Sequence, residues 1–445
     1  MRSHFLEFMS CPYCGSEFKF QVVIDKNGED VIFGCINCEC SEFPVVEGIL
    51  ILKAGPLSRH VVKLVKERKT REAAIHCFGW EDFQNLYASY VPFRFSYKVQ
   101  SALARVLSFS GYHELFRENS KVYKNYSDKR LPFCDVLGKG TFDIYLRNRF
   151  STFSFWSSYA FLPLLKTKQG RILDLSCGAG HGSFVVSKYV ETDVHCCADS
   201  GYRLLFLARK YFAQKAEFVC LDANNPLPFK ARTFDTILMS DAFHYVYARA
   251  SLAREMERAI RPGGLILLTH LHNSLVDNGA AGYPLSPKAY AALFSREIAP
   301  KIMPEKAVVE SFLIQNKLDL QELYSDDELK SSNAVILMAT SDPSVFKLYD
   351  RADHDFLSLK NHLVINPLYE IHEKNDSVLL VRSPAYERSS SFEDYHPFTK
   401  EYLPAECEIG KKFVRGRKVD LAGLERADEL MKRFVAINVP ENYFQ

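Results

Sequence analysis

The chain has 445 residues, beyond the size at which one hydrophobic core stops growing, so two or three domains are expected. Apolar residues at 47% and charged residues at 25% exclude a largely disordered or collagen-like chain, and a formal charge of +2 gives no electrostatic case for a nucleic-acid binder. No apolar run reaches the roughly 18 residues needed to span a bilayer, and the opening Met1-Arg2-Ser3-His4-Phe5 lacks the layout of a secretory leader, so neither a membrane nor a secreted protein is expected.

Residues 1–55 carry Cys11, Cys14, Cys35 and Cys38, two C-x2-C pairs with the spacing of a four-thiolate zinc site. Each pair lets two thiolates reach one ion from a tight turn, and two pairs complete a tetrahedron. Free thiols or two disulfides are the alternative. Cys40 lies just past the second pair and competes as a ligand, but the paired spacing favours Cys38. A hairpin turn is expected at Lys26-Asn27-Gly28 and a strand at Gly48–Leu52, giving a zinc ribbon too small to fold without its metal. Twelve cysteines in this chain are too sparse for a disulfide scaffold, so a reducing compartment, the cytoplasm, is expected.

The run 59–72 holds Arg59, Lys63, Lys66, Arg68, Lys69 and Arg71 and reads as the solvated face of a helix. Residues 56–144 form an aromatic-rich helical cap region. From Arg171 short apolar runs at Ile172–Leu175, Val194–Ala198, Phe218–Leu221, Thr236–Met239 and Leu265–Thr269 alternate with amphipathic stretches such as Leu252–Ile260. That rhythm predicts an α/β fold, a Rossmann-like doubly wound sheet with its ligand at the strand C-termini. A segment punctuated by Gly and Pro, 273–304, is expected to form a lid. A helix at Ala307–Gln315 and strands near Leu318–Leu320 and Ala334–Thr340 follow, and residues 343–445 form an extension with a helix at Leu421–Phe434.

The first strand runs into Asp174-Leu175-Ser176-Cys177-Gly178-Ala179-Gly180-His181-Gly182. The glycines bare the backbone of a strand-to-helix turn, while Ser183 stands where a dinucleotide fingerprint needs Gly or Ala. Asp174 beside this turn disfavours a pyrophosphate and suits a ligand with a positive ammonium and sulfonium. The next strand ends at Asp199, placed for ribose hydroxyls, and the third at Asp222-Ala223, placed for an adenine amino group.

Asp174–Gly182, Asp199, Leu221-Asp222-Ala223, Phe234–Ser240 and Arg261-Pro262-Gly263-Gly264 together resemble the successive motifs of class I S-adenosylmethionine-dependent methyltransferases, over residues 145–342. The resemblance implies that Asp174, Ser176, Gly178, Gly180, Asp199, Asp222, Ala223 and Ser240 form the donor site, with Ser176 standing where the family usually has glycine. The ribbon, through Cys11–Cys14, Cys35–Cys38 and Phe43–Ile49, is similar to the small zinc-ribbon activators of methyltransferases that act on transfer RNA and translation factors. That likeness implies a structural Zn2+ and docking of the ribbon on the catalytic sheet.

On the acceptor side, Ser240-Asp241-Ala242-Phe243-His244 is not the Asn/Asp-Pro-Pro-Tyr/Phe box of enzymes that methylate exocyclic amines. The fifth strand ends Thr269-His270-Leu271-His272, and alternation sets His270 and His272 on one face. His272, His270 and His244 are the catalytic candidates, as base, acceptor contact or metal ligand; a purely structural role is the alternative. The reading is O-methylation of a small-molecule or glycan-linked acceptor. Its rivals are an RNA or protein methyltransferase and a non-catalytic scaffold that keeps the donor fold. Oligomeric state is left open.

Overall fold

The computed structural model describes residues 1–83, 97–277, 281–298, 300–350, 362–383 and 403–444. The expected cap, lid and C-terminal extension each fall in part outside the described residues, at 84–96, at 278–280 and 299, and at 351–361 and 384–402.

The N-terminal strands β1 (Lys19–Asn27), β2 (Asp30–Asn37), β3 (Glu42–Val46) and β4 (Ile49–Ile51) form an antiparallel meander. The first turn falls at the expected Gly28. The β3–β4 turn uses Glu47 and Gly48, both at positive φ (50° and 75°), the two-residue geometry whose twist matches a hairpin. A Cβ at Gly48 would also lie 2.6 Å from the Arg209 guanidinium, which would have to move aside. Helices α1 (Pro56–Lys66) and α2 (Thr70–Phe78) follow. Arg59, Lys63, Lys66, Arg68, Lys69 and Arg71 are exposed as expected, while Leu57, Val61, Val62 and Val65 are buried. Helices α3 (Tyr97–Ser127), α4 (Thr141–Asn148) and α5 (Phe153–Tyr159) lead to the catalytic sheet.

That sheet begins with β5 (Gly170–Leu175), α6 (His181–Tyr189), β6 (Thr192–Asp199), α7 (Tyr202–Leu207), β7 (Glu217–Cys220), β8 (Phe234–Ser240), α8 (Arg249–Ala259) and β9 (Ile260–His272). The strands pair in parallel in the order β7-β6-β5-β8-β9. The insertion after β9 holds α9 (Pro287–Ala291) and β10 (Pro300–Pro304); then come α10 (Glu305–Ile314), β11 (Lys317–Asp319), β12 (Ala334–Thr340) and β13 (Leu348–Asp350). β12 lies antiparallel to β9, and β10 antiparallel to β12 at the edge.

The strand expected near 318–320 forms as β11 and pairs with β13 in a separate two-stranded sheet. The edge strand is instead β10, inside the segment expected to be lid; prolines at both its ends mask it in the sequence, and an edge strand tolerates them.

The ribbon does dock. β4 runs parallel to β7, with Ile49, Leu50 and Ile51 opposite Phe218, Val219 and Cys220, and the three β4 side chains are fully buried. Ribbon and catalytic domain thus share one sheet of eleven strands. The edge of β7, which would otherwise present unpaired backbone groups, is covered. Two hydrophobic cores flank the sheet, one under α1, α2, α5 and α6, the other under α8 and residues 1–9.

The C-terminal strands β14 (Leu363–Ile365), β15 (Tyr369–Glu373), β16 (Ser377–Arg382), β17 (Glu406–Gly410), β18 (Val414–Arg415), β19 (Lys418–Val419) and β20 (Ala436–Asn438) form two small sheets. The expected helix shortens to α11 (Ala427–Lys432). Tyr443 is fully buried, stacks on Phe133 at 5.0 Å, and donates to the carbonyls of Leu146 and Arg147 at 3.0 Å. The extension therefore braces α4, which lines the site.

Candidate active site and thiolate cluster

A cavity opens where β5, β6 and β8 end, the crevice in which doubly wound sheets take ligands. At its floor the backbone after β5 enters the left-handed region at Ser176 (φ 58°), Gly178 (φ 56°) and Gly180 (φ 92°). The conformation at Ser176 explains the resemblance family's glycine there. A Cβ at Gly180 would meet that of Ala208 at 2.7 Å, whereas beside Gly178 the space is open toward the cavity.

Asp199 closes this turn. Its Oδ2 accepts from Gly178 N–H at 2.9 Å and its Oδ1 from Gly201 N–H at 2.7 Å. Burial raises its carboxyl, against the pull of those two donors. Asp174 accepts from the Ser183 hydroxyl and is pushed up to about 7, first by burial and then by the neighbouring Cys197. Ser240 lines the same cavity, joined through the Ser158 hydroxyl at 2.8 Å. Asp222 and Ala223 do not line it: Asp222 is exposed, and its Oδ1 accepts from the backbone and side chain of Asn224 at 2.9 Å.

The three histidines expected on the acceptor side come together. The rings of His244 and His272 lie 4.7 Å apart and perpendicular, and His270 is 4.7 Å from His272. Sequence reasoning missed their partners. Asp241, the first residue after β8, lines the cavity, and its Oδ2 accepts from Tyr145 Oη at 2.9 Å and Arg149 Nη1 at 3.1 Å. Burial pushes the Asp241 carboxyl up, but His270 and Arg149 outweigh it and hold it low. Glu305, fully buried at the start of α10, accepts from His270 Nδ1 at 2.9 Å with each oxygen. The other nitrogen, His270 Nε2, stands 3.9 Å from Asp241 Oδ1. Burial would lower His270, but Glu305 and Asp241 prevail and raise it. His244 and His272, without such partners, are lowered by burial to about 4 and about 3, so both rings are neutral. Asp241 and His270 both sit at φ 54°, a left-handed backbone uncommon outside glycine and concentrated at functional sites.

In the ribbon the expected thiolate set changes at one position. Cys11, Cys14, Cys38 and Cys40 bring their sulfurs within 4.8 Å of one another. Cys35 is not among them. It lies inside β2 opposite Pro44, with its Sγ 3.9 Å from the Val62 carbonyl of α1, and burial pushes its thiol up to about 11. β2 continues to Asn37, so Cys35 faces the helix-covered core, and the second pair is Cys38-x-Cys40.

A family profile described as a methyltransferase domain matches residues 173–268. The chain is 25% identical over 200 residues to a malonyl-(acyl-carrier protein) O-methyltransferase of Marinomonas, covering 42% of this chain and 70% of the relative. It is 32% identical over 109 residues to phthiotriol/phenolphthiotriol dimycocerosates methyltransferase 1 of Mycobacterium ulcerans, covering 23% of this chain and 38% of the relative. It is 31% identical over 137 residues to the ubiquinone/menaquinone biosynthesis C-methyltransferase of Escherichia fergusonii, covering 29% of this chain and 51% of that protein. Among solved structures, the YcgJ protein of Bacillus subtilis aligns over 41% of this chain and 98% of its own, at 19% identity and a TM-score of 0.28.

The strand order is the doubly wound α/β arrangement expected of class I methyltransferases, and residues 173–268 carry a methyltransferase domain. These relatives carry names as different as a malonyl-(acyl-carrier protein) O-methyltransferase and a C-methyltransferase of ubiquinone/menaquinone biosynthesis. Among the described residues no helix is long and apolar enough to cross a membrane.

Proposed function

We propose that the chain transfers the methyl group of S-adenosylmethionine to a hydroxyl of a small-molecule or glycan-linked acceptor. The observation that carries this reading is the continuity of one cavity, from Asp174, Gly178 and Asp199 at one end to Asp241, beside the His270–Glu305 pair, at the other. The open space at Gly178 is what a ligand approaching bare backbone requires. The bound donor supplies a methyl group already activated by its sulfonium; the protein aligns the partners and takes a proton. Asp174 and Asp199 offer negative charge and acceptor oxygens to that cation. On the other side, His270 donates its Nδ1 proton to Glu305, which leaves the Nε2 lone pair to accept the hydroxyl proton of the acceptor. Asp222 and Ala223, set outside the cavity lining, are retained as adenine contacts of the outer wall. His244 and His272 border the acceptor.

The chain's formal charge of +2 offers no strong basic bias, which favours a small metabolite over RNA. Screening extracts and defined acceptors with labelled donor, followed by mass identification, tests this. A product methylated on oxygen is expected; one methylated only on RNA or protein, or only on carbon or nitrogen, overturns it, and absence of donor binding by calorimetry returns the scaffold reading.

Cys11, Cys14, Cys38 and Cys40 are assigned to a structural Zn2+. The Cys11–Cys40 and Cys38–Cys40 sulfur separations, 3.7 and 3.5 Å, sit close to the edge of about 3.8 Å in a tetrahedron with 2.3 Å Zn–S bonds. Zinc content near one per chain is expected, lost in Cys40→Ser and kept in Cys35→Ser; the reverse outcome restores the paired-spacing assignment. Eight thiols beside the four assigned to zinc, with no disulfide among them, fit a reducing compartment, and the cytoplasm is the location proposed.

A further inference from the structure

Beside the His270–Glu305 pair is a second constellation with chemistry of its own. Asp241, His244 and His272 each hold one ligand atom within 4.8 Å of the others. His244 is fully buried, and neither of its ring nitrogens has a hydrogen-bond partner. Buried polar groups are nearly always paired, so an imidazole with both nitrogens unmet points to a ligand that satisfies it. Its ring stands at 88° to that of His272, edge to face across 4.7 Å.

The surroundings orient these three groups and keep competitors away. Tyr145 and Arg149 occupy Asp241 Oδ2, leaving Oδ1 on the histidine side. Glu305 claims His270 Nδ1 and so turns that ring toward a different task. Tyr283 N–H holds the His244 carbonyl at 2.8 Å, and Tyr290 Oη holds that of His272 at 3.0 Å, so the insertion after β9 fixes both backbones.

We propose that Asp241, His244 and His272 form a divalent-cation site, a face of two imidazoles and one carboxylate that takes a first-row transition ion and keeps its remaining positions open to the acceptor. Ligand atoms on such an ion lie roughly 3 Å apart, a closure that side-chain rotations supply from the observed spacing. Resting on the O-methylation reading, this site names the acceptor class: a molecule with two neighbouring oxygens that chelate the ion, such as a catechol, a vicinal diol or a 2-hydroxy acid. The ion acts as a Lewis acid that eases loss of the hydroxyl proton. That proton passes to His270 Nε2, the oxygen forms a bond to the methyl carbon, and the carbon–sulfur bond breaks with its electron pair remaining on sulfur as S-adenosylhomocysteine.

The test uses the full chain, with its thiolate cluster zinc-loaded, titrated with Mn2+ and followed by loss of the free-ion paramagnetic signal. One Mn2+ per chain is expected, with binding at least tenfold weaker in His244→Gln and in His272→Ala, while S-adenosylmethionine binding by calorimetry stays within twofold. Stoichiometric binding that survives both substitutions overturns the site. So does a wild-type chain that binds the donor but neither Mn2+ nor Co2+. Where Mn2+ binds as expected and no oxygen-methylated product forms from any chelating acceptor, the site stands and the O-methylation reading fails, so the two are separable. Should His244→Gln not fold, the half-buried His272→Ala decides.

Discussion

At the donor end of the cavity the protein presents mostly backbone. Gly178 and Gly180 bare the peptide, and Asp199 is spent on two N–H groups that hold the turn. At the acceptor end it gathers ionisable side chains from four places in the chain: Tyr145 and Arg149 of the α4 region, Asp241 and His244 after β8, His270 and His272 of β9, and Glu305 of α10. The first arrangement is local, a turn between adjacent elements, and in the proposed function it takes one fixed cosubstrate. The second is assembled across the sheet, so its pKa values and geometry depend on tertiary packing.

The largest effect expected at either end comes from His270→Asn, chosen because asparagine tolerates the left-handed backbone there. Loss of a positioned base lowers kcat by roughly 10²–10⁴-fold. Donor affinity by calorimetry should stay within twofold, since His270 lies outside the donor turn. Unchanged turnover would remove the base from the mechanism and erase the chemical distinction between the two ends.

Next is Asp199→Ala, which acts on the other end. Hydrogen bonds to a charged acceptor contribute about 1.5–3 kcal/mol each, and the two lost here hold the turn against the ligand. Donor affinity should fall roughly 10–100-fold, read by calorimetry, with the His270–Glu305 geometry intact. A loss confined to kcat would mean that the two ends are not separable.

This division also explains what the sequence made legible. The donor turn was readable because its signal is contiguous: Asp174 to Gly182 lies within one strand-to-helix connection, and Asp199 ends the next strand. His270 and His272 were readable from alternation at a strand end. Glu305 was not, because nothing local marks an acid that meets a histidine 35 residues earlier. Asp241 had a signal, the first position after the fourth strand, but a lone Asp there reads equally well as a turn residue. Cys40 was set aside for Cys38, and Cys35 kept, because the spacing is silent on where β2 ends; with Cys35 still inside the strand, its thiol belongs to the core beside Val62. The shared sheet follows from the apolar triplet Ile49–Ile51, whose burial on all sides only the pairing with β7 explains.

Tyr145→Phe sharpens the acceptor side with a smaller effect. It deletes the 2.9 Å bond to Asp241 and leaves the Arg149 contact in place. A net loss of about 1 kcal/mol is expected, roughly a fivefold drop in kcat/KM with the donor's Kd unmoved. A change in donor affinity of the same size would place Tyr145 on the donor's side of the boundary.

The smallest effect at neutral pH concerns Asp174, the one donor-side acid whose ionisation is in play. Its carboxyl titrates near 7 in the folded chain, because burial removes solvation and Cys197 adds to the effect against the Ser183 hydroxyl. An unfolded aspartate titrates near pH 4, so this group destabilises the unliganded fold progressively as pH rises across that interval. A cationic donor favours the ionised form and must expel the proton when binding below about pH 7. Affinity should therefore climb up to tenfold per pH unit from about 5 to 7 and then level, with proton release visible as a buffer-dependent binding enthalpy. Asp174→Asn should bind more weakly at pH 7 and show no such slope. A wild-type affinity flat between pH 5 and 7 would mean that Asp174 stays protonated beneath the bound donor. The negative charge of that end would then rest on Asp199 alone, whose oxygens are already shared with Gly178 and Gly201.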